Sequence, residues 1–265
     1  RGKAVDPAVV VLDEQGRFAV SLLSGHLGGA NDLTRQLAAA CHAVPVITTA
    51  TDGRGAFAVD EWAVRQNCAV AEPERIKYIS GALLAGRRVR YFSDWQIEGE
   101  PPAGVEPAAT AEQADFVLTL TPAGEALHIV PRIAVLGIGC KRGTSECRLQ
   151  EAFSAFCAAN TLAPQSVAAA ASIDLKKDER GLLDFAKNHG WTTEFYTADT
   201  LRAVRGHFTA SQFVKDVTGV DNVCERAAAK AAGGKLFIPK WVYNGVTFSV
   251  ALRPFAPDWR WKTDG

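Results

Sequence analysis

The chain has 265 residues, of which 48% are hydrophobic and 22% are charged, a balance typical of a globular protein with a buried core. Lys plus Arg and Asp plus Glu both number 29, so no field of the whole protein would recruit a nucleic acid or an anionic membrane. No run approaches the ~18 apolar residues that a membrane span needs. The six cysteines show no zinc-site spacing, which indicates reduced thiols and predicts a cytoplasmic protein.

Predicted strands and helices alternate along the chain. In order, they are a hairpin at 8–23, a helix from about residue 32 to 38, a strand at 44–48, a helix at 73–84, a strand at 88–92, a surface loop at 98–107, strands at 116–120, 127–130 and 133–139, a helix at 146–159, an Ala-rich segment at 166–173 that fits either element, a helix at 178–189 closed by Gly190, a strand at 194–196, helices at 211–217 and 221–232, and strands at 235–239 and 246–252.

This alternation predicts the α/β class, with several small domains whose sheets are mostly parallel or mixed and are flanked by helices. Candidate boundaries lie in the loop at 51–55 and at Pro131. We therefore predict a partial N-terminal domain at 1–52, a middle domain at 53–131 and a C-terminal domain at 132–265.

The first of two glycine-rich strand-to-helix turns covers residues 24–31. Glycine lets backbone amides approach a ligand closely, and the following helix N-terminus adds a partial positive charge, so the turn suits a phosphate or a carboxylate. A tight turn with a helix cap explains the same pattern equally well. His26 fits either a general base or a structural hydrogen bond. The candidate binding residues of this turn are Ser24, Gly25, Gly28, Gly29 and Asn31.

The second turn, at 137–144, has the pattern Gly-x-Gly-x-x-x-Gly, which is one residue longer than the dinucleotide fingerprint. Lys141 and Arg142 lie where a helix N-terminus already favours an anion, although a solvated basic pair is the alternative. Cys140 is either activated by the helix start and Lys141 or simply a small residue. Charged residues at 174–179 fit a helix cap. The candidate binding residues here are Gly139, Cys140, Lys141, Arg142, Gly143, Thr144, Lys176 and Glu179.

The motifs at 24–31, 45–52, 137–144, 171–176 and 218–225, with Lys240 and residues 245–247, occur in an order that resembles one family. Together they resemble the CbiG-type proteins of cobalamin biosynthesis over nearly the whole chain. The chain contains no Met, and it begins where this family has a longer N-terminal segment. We therefore expect part of the first domain to be absent.

The resemblance implies hydrolysis of cobalt-precorrin-5A, in which a ring-A δ-lactone is opened and a two-carbon unit leaves as acetaldehyde. The implied substrate is a macrocycle fringed with carboxylates that carries its own cobalt, so we expect no cofactor and no metal site in the protein. We expect the two turns, on separate domains, to hold opposite edges of the macrocycle. Our hypothesis assigns His26 as general base, the amides around Gly28 and Gly29 to the oxyanion, and Lys141, Arg142 and Lys176 to substrate carboxylates.

Two other interpretations stay open. The C-terminal half also resembles a stand-alone tetrapyrrole-handling domain, so the protein could bind or carry a corrinoid without chemistry. The glycine turns alone would fit a nucleotide-binding protein, which the poor fingerprint disfavours. We expect neither nucleic acid nor membrane as a partner, and the sequence leaves open whether the chain forms a homo-oligomer. For Trp259 and Trp261, core or interface packing is favoured over contact with the macrocycle.

Overall fold

The computed structural model describes residues 7–23, 25, 28–47 and 56–261. Within this part, the strands are β1 (Val9–Leu12), β2 (Phe18–Leu23), β3 (Val44–Val46), β4 (Cys68–Val70), β5 (Val89–Ser93), β6 (Val105–Pro107), β7 (Phe116–Leu118), β8 (Leu127–Pro131), β9 (Ala134–Cys140), β10 (Val167–Ile173), β11 (Thr192–Tyr196), β12 (Leu236–Tyr243) and β13 (Val246–Leu252). The α-helices are α1 (Ala30–Cys41), α2 (Val59–Arg65), α3 (Ile76–Leu84), α4 (Glu146–Ala159), α5 (Arg180–Asn188), α6 (Ala198–Arg202), α7 (Gln212–Thr218) and α8 (Cys224–Ala232). Short 3-10 turns occur at Pro73–Arg75, Ala111–Gln113, Pro164–Ser166 and Asp174–Lys176.

Contacts divide the chain into two units. The first unit contains 1–119, 124–129 and 256–265, and the second contains 120–123 and 130–255. The strands form three sheets, ordered β1-β2-β3, β4-β8-β7-β5-β6 and β11-β10-β9-β13-β12. Mixed and parallel sheets flanked by helices confirm the predicted α/β class. The division into three domains stays a prediction.

In the first unit, the predicted hairpin is confirmed as the antiparallel pair β1–β2. Its turn is closed by Asp13, whose carboxylate accepts hydrogen bonds from the amides of Arg17 (2.5 Å) and Phe18 (2.7 Å). Asp is common at the start of turns because its carboxylate can accept hydrogen bonds from backbone amides a few residues further along the chain. β2 then pairs in parallel with β3 and leads into α1, the helix after the first glycine turn.

The second sheet of the first unit packs on an aromatic core to which the C-terminal segment contributes. Trp259 is 6% exposed and stacks on Trp62 with ring centroids 5.1 Å apart. The Trp62 indole N–H donates to the carbonyl of Asp258 (2.7 Å), and the amide of Trp259 donates to the carbonyl of Glu98 (3.1 Å). The prediction of core packing for Trp259 is confirmed, and Trp261 makes an edge contact with Phe57 in the same core.

Two sequence predictions need correction in the first unit, and three short elements of the two units were missed. The predicted surface loop at 98–107 ends in the edge strand β6, because Val105 is buried beside β5. The predicted helix at 73–84 starts as a 3-10 turn and becomes α-helical only at Ile76. α2, β4 and α6 were not predicted, since each is too short for a clear hydrophobic period.

The second unit is built around β9, which is buried from Ala134 to Ile138. On one side β9 pairs in parallel with β10, and on the other it pairs antiparallel with β13. The ambiguous segment at 166–173 is the strand β10. Its small side chains, including Ala169 and Ala171, belong to the buried cluster that also contains α8. Tertiary packing, rather than propensity, therefore decides this element.

The helix after the second turn matches its predicted bounds, and Ser145 caps it by accepting a hydrogen bond from the amide of Arg148 (3.4 Å). Gly190 closes α5 with a left-handed φ of 70°, as predicted. The helix predicted at 221–232 begins only at Cys224, and the strand predicted at 235–239 continues to Tyr243. Among the described residues, no helix is both long and apolar enough to cross a membrane.

Gly137 allows α8 to lie directly on β9. A Cβ built at this position would stand 1.9 Å from the carbonyl oxygen of Cys224, the first residue of α8. We expect Gly137→Ala to lower the free energy of unfolding of the second unit by about 2–3 kcal/mol, because backbone atoms would have to separate. Thermal or urea unfolding measures this.

Gly81→Ala is the matched control, since a Cβ at Gly81 in α3 meets nothing within 4 Å. This control is expected to be neutral or to stabilise by about 0.5–1 kcal/mol, because alanine is the better helix former. Equal effects of the two alanine substitutions would contradict the packing argument.

Candidate functional site

A cavity of about 540 Å³ opens in the second unit where β9 and β10 end. Its walls come from the turns after these two strands, from α7, from the first turn of α8 and from the β12–β13 hairpin. Ligands of α/β sheets commonly bind outside the carboxyl ends of parallel strands. The position of the cavity therefore follows from the sheet topology.

Four cationic side chains line this cavity, namely Lys141, Arg142, Lys176 and Lys240, and none of the described lining residues is acidic. We call it the basic cavity. Lys176 forms an ion pair with Glu179, with 3.5 Å between Nζ and Oε2. Within the described part of the chain, no carboxylate forms an ion pair with the other three. A chain without net charge thus concentrates positive charge at one place.

Apolar side chains also line the basic cavity, and several are exposed. The exposed fractions are 49% for Leu175, 63% for Val217 and 60% for Val242. Exposed aliphatic groups grouped around a concave site are typical of a binding surface. The cavity therefore suits a ligand that has both an apolar surface and several anionic groups.

The turn at 137–144 does not offer the Gly143 amide to a ligand. Gly143 has a φ of 77°, and its N–H donates to Oε1 of Glu179 (2.7 Å). Glu179 is 8% exposed and occupies the N-cap position of α5, but its side chain makes no capping hydrogen bond to that helix. Gly181 lets α5 approach the turn, because a Cβ there would lie 2.1 Å from the carbonyl oxygen of Thr144. The chain's own carboxylate thus occupies an anion position that the sequence assigned to substrate.

The predicted residues of the second turn therefore fall into two groups. Gly139, Cys140, Lys141, Arg142 and Lys176 line the basic cavity, whereas Gly143, Thr144 and Glu179 stand behind it and shape the turn. The Thr144 hydroxyl donates to the carbonyl of Lys141 (2.7 Å). Cationic side chains therefore supply the positive charge of this cavity, and the Gly143 amide does not add to it. Substrate contacts for either group stay predictions.

Sequence reasoning did not assign Lys240, which belongs to the same cavity. The signal was present, because Lys240 and residues 245–247 were among the motifs that carry the family resemblance. Their joint role became visible only when β12 paired with β13 and brought Lys240 to the cavity wall.

Two thiols, those of Cys140 and Cys224, line the basic cavity. Burial raises the pKa of Cys140, and the Lys176 ammonium opposes this shift only in part. Burial likewise raises the pKa of Cys224. Raised pKa values leave the thiols protonated at neutral pH, so the structure favours the interpretation of Cys140 as a small residue over that of an activated one.

The first glycine turn is described only in part, because Ser24 and His26 lie outside the described residues. Gly29 caps α1 with a left-handed φ of 78°. Asn31 is 2% exposed; its backbone N–H donates to the carbonyl of Gly25 (2.9 Å), and its side-chain Oδ1 accepts from the Ser21 hydroxyl (2.7 Å). These bonds of Asn31 hold the turn together. Substrate contacts of Gly25, Gly28, Gly29 and Asn31 stay predictions.

In the part of the chain that the structure describes, no group of three or more His, Cys, Asp or Glu side chains could hold a metal ion.

Comparison with known proteins identifies the family. The family model for the cobalamin synthesis G N-terminal region matches residues 1–52, that for the cobalamin biosynthesis central region matches 57–126, and that for the cobalamin synthesis G C-terminus matches 134–251. A cobalt-precorrin-5A hydrolase of Priestia megaterium is 33% identical, over 96% of this chain and 74% of the relative. The chain belongs to the CbiG family of cobalamin synthesis proteins.

Other CbiG-family and cobalamin-related proteins are also similar. A cobalt-precorrin-5A hydrolase of Salmonella typhimurium is 34% identical, over 94% of this chain and 76% of the relative. Among solved structures, CobE, a protein from the cobalamin biosynthetic pathway, is 26% identical and covers 48% of this chain and 94% of its own, with a TM-score of 0.43. The predicted resemblance to the CbiG family is confirmed.

The raised pKa of Cys140 predicts low thiol reactivity. At neutral pH we expect iodoacetamide to modify exposed Cys147 well before Cys140, because burial raises the pKa of the Cys140 thiol and so lowers its thiolate fraction. We also expect the labelling rate at Cys140 to keep rising with pH above the range in which an ordinary thiol titrates. Peptide mass spectrometry after timed quenching measures both rates. The guanidinium-unfolded chain is the control, in which the two should react alike. Faster labelling of Cys140 than of Cys147 in the folded chain would contradict the prediction.

Proposed function

We propose that this chain hydrolyses cobalt-precorrin-5A, opening its ring-A δ-lactone with release of acetaldehyde. The observation that carries the proposal is its similarity to curated cobalt-precorrin-5A hydrolases at 33% and 34% identity over nearly the whole chain. Membership of the CbiG family across all three family models supports the same activity.

The basic cavity supports the substrate class. Cobalt-precorrin-5A is a macrocycle with acetate and propionate arms, so it presents an apolar ring surface together with several carboxylates. We assign Lys141, Arg142 and Lys176 to its carboxylates and Leu175, Val217 and Val242 to its ring surface. Charged hydrogen bonds between ammonium or guanidinium groups and carboxylates are the strong ones, and they also fix orientation.

The chemistry that we propose is addition of water to the lactone carbonyl. The water oxygen bonds to the carbonyl carbon and the ring C–O bond breaks, so that the departing alkoxide takes up a proton and becomes a carbinol. The C–C bond between this carbinol carbon and the macrocycle then breaks. The carbinol loses its O–H proton and leaves as acetaldehyde, while the electron pair of the broken bond stays on the macrocycle and is protonated there. His26 takes the proton from water as general base, and amides around Gly28 and Gly29 stabilise the oxyanion. These roles rest on the chemistry of the residue types in the first turn. The cobalt belongs to the substrate, so we propose no cofactor, and we infer a cytoplasmic location from the scattered cysteines.

The direct test is incubation of the chain with cobalt-precorrin-5A under anaerobic conditions, with acetaldehyde measured by a coupled dehydrogenase assay. Catalytic release of acetaldehyde supports the hydrolase. Binding of the tetrapyrrole without release would replace the proposal by a carrier function, and binding of a nucleotide instead would overturn it.

The base assignment is tested in the same assay. His26→Ala is expected to lower kcat by about 10²–10⁴-fold, the usual effect of losing a general base. His42→Ala is the control, because His42 ends α1 and lies outside the first turn. A His26→Ala variant that keeps full acetaldehyde release would rule out the base role.

The carboxylate role of Arg142 predicts a change in KM rather than kcat. Arg142 is exposed at the cavity, so we expect Arg142→Ala to raise KM about threefold to tenfold with little change in kcat, and the effect should shrink as salt increases. Arg148→Ala is the matched control, since Arg148 is exposed on α4 and does not line the cavity. Unchanged affinity of the Arg142→Ala variant would exclude the contact.

A further inference from the structure

Glu225 is a fully buried carboxylate in the second position of α8, behind the wall of the basic cavity. Its Oε2 accepts hydrogen bonds from the Thr209 amide and the Asn222 side-chain amide, both at 2.7 Å. Its Oε1 accepts from the Thr209 hydroxyl at 3.0 Å and from the backbone amide of Lys240 at 2.6 Å. A buried charge is tolerated only with such partners, and here they come from three separate segments.

The bond to Lys240 depends on a β-bulge in β12. Ile238 pairs with Val250 and Trp241 pairs with Phe248, so Pro239 and Lys240 together face Ser249 alone. Pro239 has no N–H to donate, and the extra residue releases the Lys240 amide from the ladder. That amide is the one that Glu225 accepts. Bulges next to binding sites commonly re-aim a side chain.

The re-aimed side chain is the one that reaches the basic cavity. Lys240 lines the cavity, and so does Asn222, which donates to Glu225. Thr209, held by two bonds to Glu225, stands just before Ser211, the cap of α7, and α7 forms another wall. One carboxylate therefore ties the bulge of β12 to the first turn of α8 and to the segment entering α7.

We infer that Lys240 binds a carboxylate of the substrate and that Glu225 is the positioning residue that holds Lys240 there through the bulge. This inference rests on the proposed function, because the anionic ligand is taken to be cobalt-precorrin-5A. Glu225 touches no substrate. Its contribution to binding passes through the ammonium of Lys240.

A double-mutant cycle tests this coupling. Glu225→Gln keeps the size of the side chain but replaces one carboxylate oxygen by an NH₂ group. Because each oxygen of Glu225 accepts two hydrogen bonds, this NH₂ group faces two hydrogen-bond donors in either orientation of the amide. Anaerobic absorbance titration with cobalt-precorrin-5A gives Kd for the wild type, Glu225→Gln, Lys240→Met and the double variant. Lys235→Met is the matched control, as Lys235 is exposed just before β12 and does not line the cavity.

We expect Lys240→Met to weaken binding about tenfold and Glu225→Gln to weaken it by a similar factor. In the Lys240→Met background, Glu225→Gln should change Kd by less than about twofold, because the coupled residue is already lost. Lys240→Met and Glu225→Gln should also lower the salt dependence of Kd to the same extent, because both remove the same charge contact with the substrate. If Glu225 had a purely structural role, Glu225→Gln would leave the salt dependence of Kd unchanged. Lys235→Met should bind as the wild type does.

Independent, additive effects of the two substitutions would overturn the positioning role. If the wild type binds and hydrolyses the substrate while Lys240→Met keeps full affinity, only this inference fails. If the wild type neither binds nor hydrolyses it, the proposed function fails instead. If Glu225→Gln does not fold, Thr209→Val takes its place, because it keeps the carboxylate of Glu225 and removes one hydrogen-bond donor to it. Thr209→Val should then weaken binding by a smaller factor than expected for Glu225→Gln, and it should have no further effect on Kd in the Lys240→Met background.

Discussion

The direct packing of α8 on β9 is the constraint on which the second unit depends. Gly137 removes the side chain that would separate them, and small residues on β10 and α8 close the remaining distance. Because the helix lies so near, its first turn reaches the carboxyl end of β9, where the cavity opens. A larger residue at position 137 would move both the core and a wall of the site.

Charge in this unit is arranged in two layers. Lys141, Arg142 and Lys240 face the cavity, whereas the carboxylates of Glu179 and Glu225 lie behind its walls. Glu179 fixes a backbone amide of the glycine turn, and Glu225 fixes the bulge of β12. The acidic groups thereby order the backbone that presents the basic ones. A chain with equal numbers of acidic and basic residues thereby has a locally positive cavity, because its basic groups line the cavity while acidic groups lie behind the walls.

Local pattern predicted much of the fold, and long-range pairing explains what it missed. α4 and β13 matched their predicted bounds because caps and β-branched residues act locally. β10 stayed ambiguous because its alanines become a strand only beneath α8. At the site, Lys141 and Arg142 stood out beside glycines, but Lys240 depends on a bulge that exists only through pairing with β13. Likewise, no local pattern in residues 174–179 predicts that the carboxylate of Glu179 accepts a hydrogen bond from the backbone amide of Gly143.

The aromatic core of the first unit joins residues far apart along the chain, since Trp62 donates to Asp258 across 196 positions. On the ribosome, residues 56–119 emerge long before 256–261. Before Trp259 has been synthesised, it cannot cover the face of Trp62 on which it stacks in the folded chain. The stretch of chain between Trp62 and Trp259, which must close as a loop, contains the whole second unit. The first unit therefore begins to be synthesised before the second unit and is completed only after it.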